Sequence, residues 1–89
     1  MTVDAGAAAA LARGSSLLAA GVTQVEGTFL RGDAIAVHGQ DGAVLARGLS
    51  EYDAAECAAL MGRPSAEHEA LLGYAPRSAL IHRDQLVML

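Results

Sequence analysis

Side chains able to do chemistry are few in this chain, and none stands in a catalytic pattern. The single cysteine, Cys57, shares one helical face with Ala54, Ala58 and Met61. A thiol so placed reads as a small buried apolar residue. A nucleophilic thiol needs an accessible, electropositive setting that favours the thiolate. His68 lies between Glu67 and Glu69, but neighbours one apart on a helix point in different directions. Its i−4 and i+4 positions are Pro64 and Leu72, so the spacing of a metal-binding pair is missing, and Glu67, His68 and Glu69 are expected to be partly exposed. His38 ends a β-prone run and His82 follows Leu80-Ile81. Each reads as a half-buried imidazole with a hydrogen-bond partner, and spacing alone does not say whether the two meet in the fold. Ser15-Ser16 reads as a loop or cap pair. The chain has no lysine, so no Gly-Lys-Ser/Thr loop can cradle a phosphate, and no Gly-x-Gly-x-x-Gly follows a strand. No catalytic, cofactor-binding or metal-ligating residue is therefore assigned. The expectation is a module that binds, bridges or regulates.

Composition narrows the class. The chain has 89 residues, is 53% hydrophobic and 18% charged, and carries a net charge of −4. Size scaling leaves ~4,900 Å² exposed from an extended-chain surface of ~13,000 Å², enough for one small core and so for one domain over residues 1–89. Ten Gly and two Pro without a period of three exclude a collagen-like chain. One Cys excludes a disulfide scaffold within the chain. The longest apolar-plus-Gly run, Ala5 to Ala12, is less than half the ~20 residues of a membrane-spanning helix. The N-terminus has no basic stretch and carries Asp4 ahead of a weak apolar run, so it does not read as a signal peptide; a cytoplasmic protein is expected. Ala accounts for 20 residues, against 21 for Leu, Ile, Val and Phe together. The core is therefore built from small side chains and its stability is modest. Six Arg are spread along the chain against ten acidic residues, which reads as a solvated surface rather than the basic face of a nucleic-acid binder.

Glycine and proline cut the chain into short elements. Thr2-Val3-Asp4 is a brief strand that Gly6 breaks. Ala7 to Arg13 is the strongest local helix former, with Asp4 at its positive end and Gly14 past its last turn. Ser15 to Leu18 leads to Gly21, and Val22 to Glu26 reads as a strand ended by Gly27. Phe29 to Asp33 is a loop turning at Gly32-Asp33. Ala34–His38 and Val44–Leu49 are strands joined at Asp41-Gly42, a pair that accepts the positive φ of a tight hairpin. Arg47 between Ala46 and Gly48 marks one wet and one dry face. Asp53 with Glu56 three residues on is a capping box for a helix reaching about Met61 and closed by Gly62. A second short helix opens at Pro64-Ser65, with Ser65 as its N-cap, Leu71-Leu72 packed inward and Gly73 as its end. Tyr74-Ala75-Pro76 is a loop. Leu80-Ile81-His82 and Leu86 to Leu89 are strand material interrupted at Arg83-Asp84. The order β-α-β-β-β-α-α-β predicts a mixed α/β domain, mainly β: a small barrel with helices packed at its ends.

Several strings are more specific than the spacing. They are Thr2-Val3-Asp4-Ala5-Gly6-Ala7 with Ala10-Leu11, then Ser16-Leu17-Leu18 and Gly21-Val22 with Val25-Glu26-Gly27, and Phe29-x-Arg31-Gly32-Asp33-Ala34. Ala46-Arg47-Gly48-Leu49 with Tyr52 follows, then Gly62 with Ser65-x-Glu67, Leu72-Gly73-Tyr74, and Ile81-His82-Arg83-Asp84-x-Leu86-Val87. In that order the chain resembles the C-terminal PUA domain of bacterial glutamate 5-kinases over nearly its whole length. The family usually has an aliphatic residue after Glu67, where this chain has His68. The resemblance implies a pseudo-barrel with short flanking helices. It also implies a preceding amino-acid-kinase domain as covalent partner and a homo-oligomeric whole. That missing domain would take ATP and Mg²⁺ to phosphorylate glutamate, with no cofactor in this segment. PUA domains elsewhere bind structured RNA through the first helix, the glycine turn and the next strand. The matching positions are Gly6, Ala7, Ala10, Arg13, Gly21 and Val22. Only Arg13 among them is basic, which favours a regulatory or assembly role over RNA.

Overall fold

A computed structural model describes residues 1–73 and 79–89. Its longest strand pair is set by the Asp41-Gly42 hairpin. Gly42 takes φ 86°, and the Asp41 carboxylate accepts the Ala43 N–H at 3.0 Å. The turn joins β4 (Ala34–His38) to β5 (Val44–Leu49) with the bounds the sequence predicts. The pair is antiparallel, from Ala34 opposite Leu49 to His38 opposite Val44, with a bulge at Val37/His38. Along β5, Ala46 and Gly48 are buried while Arg47 and Leu49 face water. That is the alternation expected of a half-buried strand.

Three short strands precede this pair, and α1 lies between the first, β1, and the second, β2 (Leu17–Leu18). β1 (Thr2–Val3) runs parallel to β4 and antiparallel to β3 (Val22–Gln24). The helix α1 spans Ala5–Ala12, so it begins two residues earlier than the sequence predicts. Gly6 sits in its first turn instead of breaking the chain. The Asp4 carboxylate explains the earlier start, because it accepts the Ala7 N–H at 2.8 Å and satisfies one of the helix's orphan donors. β3 stops at Gln24, two residues short of the expected end.

The helix α2 (Ala54–Leu60) carries the predicted capping box. Asp53 accepts the Glu56 N–H at 2.8 Å, and Glu56 accepts the Asp53 N–H at 3.0 Å. Then a 3-10 turn (Ser65–Glu67) leads into α3 (His68–Leu72), which ends at Gly73 with φ 77°. The inward face of α3 differs from the expectation. His68 is fully buried, whereas Leu71 is 41% exposed and Leu72 is half-buried. The expected loop Tyr74-Ala75-Pro76 lies outside the described residues.

One strand is not expected from the sequence: β2 (Leu17–Leu18) pairs antiparallel with β6 (Ala79–Ile81). The last strand, β7 (Leu86–Met88), pairs antiparallel with β5. The result is a five-stranded sheet in the order β3-β1-β4-β5-β7 and a separate two-stranded ladder β2-β6. The expected barrel is thus not one continuous ladder. It is a pseudo-barrel: β2 passes through the 3-10 turn Ala19–Gly21 into β3, and β6 passes through the 3-10 turn Arg83–Gln85 into β7. The small ladder so connects the two outer strands of the large sheet. Two contacts pin it, Glu51 N–H to Leu80 C=O and Arg83 N–H to the Ser16 hydroxyl, both 2.8 Å. Six elements each give at least one nearly fully buried side chain to the same core, among them Val3, Leu11, Leu17, Val37, Leu60 and Ile81. The accessible surface of 4854 Å² matches the size-scaling expectation for one core.

Candidate functional site

The helix α1 packs against the 3-10 turn at Ala19–Gly21 through a close backbone approach. Asp4 N–H donates to the Gly21 carbonyl at 2.9 Å. A Cβ built on Gly21 would stand 2.5 Å from the Ala7 Cβ, far inside any real contact, so only glycine lets the helix sit this low. Beside that junction is a groove of about 360 Å³. Four of the predicted RNA-contact residues line it together: Gly6, Ala7, Ala10 and Gly21. The other two do not join them. Arg13 is exposed just past the end of α1 and is not part of the lining, and the Val22 side chain is buried in the core at 2% exposure. Residues 15–18 and Ala20 also line it; the sequence does not single them out as site residues, because β2 is too short to signal itself. The lining is mostly small and apolar, and its charged member is the Asp4 carboxylate. A groove of that kind holds an apolar or amide-bearing group better than a phosphate.

The side chains able to do chemistry are occupied elsewhere. Cys57 is fully buried, with Sγ 3.8 Å from the Ser50 hydroxyl and 3.9 Å from the Tyr52 carbonyl. Burial pushes its pKa up to about 11, and the nearby charges of Asp53 and Glu56 add to the rise against the Ser50 hydrogen bond. The thiol is therefore neutral and a poor nucleophile. His68 is buried, not partly exposed as its acidic neighbours suggested. Its ring meets Tyr52 edge-on at 6.4 Å, and neither ring nitrogen has a hydrogen-bond partner among the described residues. His82 is exposed. Its Nδ1 accepts the Asp84 N–H at 3.1 Å and so caps the 3-10 turn before β7. His38 lies on the large sheet, so the two histidines serve different elements. Among the described residues, no group of three or more His, Cys, Asp or Glu could hold a metal ion. Nor is any described helix long and apolar enough to cross a membrane.

A second groove, of about 500 Å³, runs along β4 between Glu26–Phe29 and Asp33–Ala36, with Met1 and His38 at one end. Thr2 Oγ1 donates to Glu26 Oε1 there at 2.6 Å. Partial burial pushes the Glu26 carboxyl up, but the Thr2 hydroxyl and the Met1 amine outweigh it and hold the group below the usual carboxylate range.

Comparison with known proteins agrees with this geometry. The family profile of the PUA domain matches residues 1–72. The glutamate 5-kinase of Novosphingobium aromaticivorans is 83% identical over 87 residues, covering 98% of this chain and 23% of that protein. The glutamate 5-kinase of Sphingopyxis alaskensis is 60% identical over 89 residues, covering all of this chain and 24% of that protein. The chain thus spans about a quarter of the length of these curated relatives. Among solved structures, a PUA domain from Aeropyrum pernix in complex with tartrate superposes with a TM-score of 0.66 at 30% identity, covering 91% of this chain and 39% of that one. A conserved PUA domain protein from Thermoplasma acidophilum gives 0.62 at 27% identity, covering 91% and 44%. Sequence profile and backbone agree, and the chain belongs to the PUA domain family.

Proposed function

We propose that this domain is the C-terminal accessory module of a glutamate 5-kinase, acting in the cytoplasm through protein contacts and without catalysis of its own. The parent enzyme would make γ-glutamyl phosphate from ATP and L-glutamate, the first step of proline synthesis. ATP and Mg²⁺ would be held by its kinase domain, and this segment takes no cofactor. One observation carries the reading: nearly the whole chain is 83% identical to a stretch amounting to 23% of such a kinase. The placement of the chemistry-bearing side chains supports it, since Cys57 and His68 are buried and His82 caps a turn. The role we assign is in assembly of a homo-oligomer or in feedback control. The test is deletion of this domain from the full-length kinase. A changed oligomeric state or a changed response to proline is expected, with phosphorylation of glutamate retained. No change in either would overturn the reading.

A second reading, an RNA-binding module, is favoured by the groove that gathers Gly6, Ala7, Ala10 and Gly21. Its electrostatics work against it: the net charge is −4, and the groove carries Asp4 where a phosphate would need a cation. Binding to tRNA that weakens steeply with salt, and that Arg13→Glu reduces, would favour RNA. Indifference to that substitution removes Arg13 from the contact, and no tRNA binding at low salt removes the reading.

A further inference from the structure

β1 has two residues and β4 has five, yet their parallel ladder runs past its shorter strand. Thr2 stands opposite His38, and the His38 N–H donates to the Met1 carbonyl at 2.8 Å. One step further, the Met1 amine donates to the Ala36 carbonyl at 2.8 Å. That is the next bond of an evenly spaced parallel ladder. Backbone alternation then sends the N–H and C=O groups of Ala34, Ala36 and His38 to the β1 side, and those of Ile35 and Val37 to β5. Beyond Met1, the Ala36 N–H and both backbone groups of Ala34 face the 500 Å³ groove, whose opposite wall is Glu26–Phe29. Ala34 is exposed and Ala36 half-buried, so a row of backbone donors and acceptors lies open there. Such an edge is a template for another strand.

We propose that this groove seats the segment immediately ahead of Met1 in the longer chain, as a parallel extension of β1 along β4. The inference rests on the reading of this domain as part of a kinase about four times its length. The register follows from the bonds already made. The first residue ahead of Met1 stands opposite Ala36. The second accepts the Ala36 N–H and donates its own N–H to the Ala34 carbonyl. Joining Met1 to that residue turns its amine into a peptide N–H. The bond to Ala36 needs only one hydrogen and survives, while the contact with Glu26 Oε2 at 3.2 Å loses its positive partner. A strand continuous with β1 has its direction and register set in advance. A second copy would have to abut Met1 head-on in the same groove. The connection to the kinase domain is thus part of the sheet, and it fixes how this domain leaves its neighbour.

The test is hydrogen exchange over residues 33–38, in the full-length kinase and in residues 1–89 alone. The Ala36 amide, whose N–H the carbonyl of the second residue ahead of Met1 accepts, is expected to exchange at least tenfold more slowly in the full-length chain. Proline at the second position ahead of Met1 keeps the carbonyl that accepts the Ala36 N–H, but it removes the N–H aimed at the Ala34 carbonyl and sets its ring against β4. The added strand is thereby loosened, and fast exchange at Ala36 is expected to return. Equal rates in the two chains, or slow exchange that the proline leaves untouched, overturn the seat while leaving the kinase reading in place. Slow exchange in residues 1–89 that depends on concentration assigns the groove to a second copy and overturns it too. A coding frame with no kinase domain upstream overturns both readings.

Discussion

His68 shows what one substitution in a small core does. The family resemblance leads to an aliphatic side chain at this position, and the fold buries whatever stands there. An imidazole whose two nitrogens lack partners keeps the desolvation cost without a compensating bond, on the order of 1–3 kcal/mol. The edge contact with Tyr52 returns only part of that, about 0.5–1.5 kcal/mol. His68→Leu is therefore expected to stabilise the domain by about 1 kcal/mol, a rise of about 4–8 °C in melting temperature for a chain this size. His68→Ala separates polarity from volume, because it removes the nitrogens but opens a cavity, and it is expected to lower the melting temperature. A lower melting temperature for the leucine variant would mean that the imidazole is bonded. Cys57 gives the second residue-scale outcome. Its thiol is raised to about 11 in the folded chain from 9.0. Between those values the unfolded chain gives up a proton that the folded chain keeps. Stability is then lost as pH rises from about 9 to 11 and levels off above, and Cys57→Ala flattens that slope. Iodoacetamide at pH 8 is expected to leave the native thiol unlabelled and to react once urea unfolds the chain.

Elements with local causes were legible in the sequence, and those with distant causes were not. The β4-β5 hairpin follows from Asp41-Gly42 and the alternation around Arg47. The helix α2 follows from Asp53 and Glu56. Each determinant lies within a few residues of what it determines. β2 has only Leu17 and Leu18, and their partners Ile81 and Ala79 are more than sixty residues away. Nothing beside Leu17 announces that pairing. His68 was misplaced for the same reason, since Tyr52 and α2 decide which side of α3 is covered. Four of the six candidate site residues meet in the groove, but they were found through family resemblance, because glycine and alanine carry no chemical signature of a site. Gly48 shows the same non-local logic. A Cβ there would stand 2.6 Å from Ile81 Cγ2 and 2.8 Å from the Gln85 carbonyl, because the corner from β6 to β7 crosses β5 at this point. The backbone oxygen cannot rotate away as a side chain can. Gly48→Ala is expected to destabilise by about 1–3 kcal/mol, read as a fall in the urea midpoint without a change in slope.

For the whole molecule, the last eleven residues decide whether the fold closes. The family profile ends at Leu72, but the structure cannot end there. β6 is the partner of β2, and β7 covers the outer edge of β5. Leu80 and Ile81 are fully buried, and losing two such side chains costs about 2–5 kcal/mol each. A chain of this length has a total stability of only about 4–13 kcal/mol. The composition suggests a core of small side chains, but the buried cluster is mostly Leu, Ile, Val and Phe, with Ala19 and Ala46 its alanines, because most of the alanines lie on the surface or at its margin. The loss of Leu80 and Ile81 therefore takes much or all of the available stability, before counting the Glu51–Leu80 and Arg83–Ser16 hydrogen bonds. A chain ending at Gly73 is expected to show no cooperative thermal transition, and to expose the β5 edge as a site for aggregation. A sharp unfolding transition in that truncated chain would show that the four strands β3-β1-β4-β5 stand without β6 and β7, and that the last two strands are an appendage to the barrel rather than its closure.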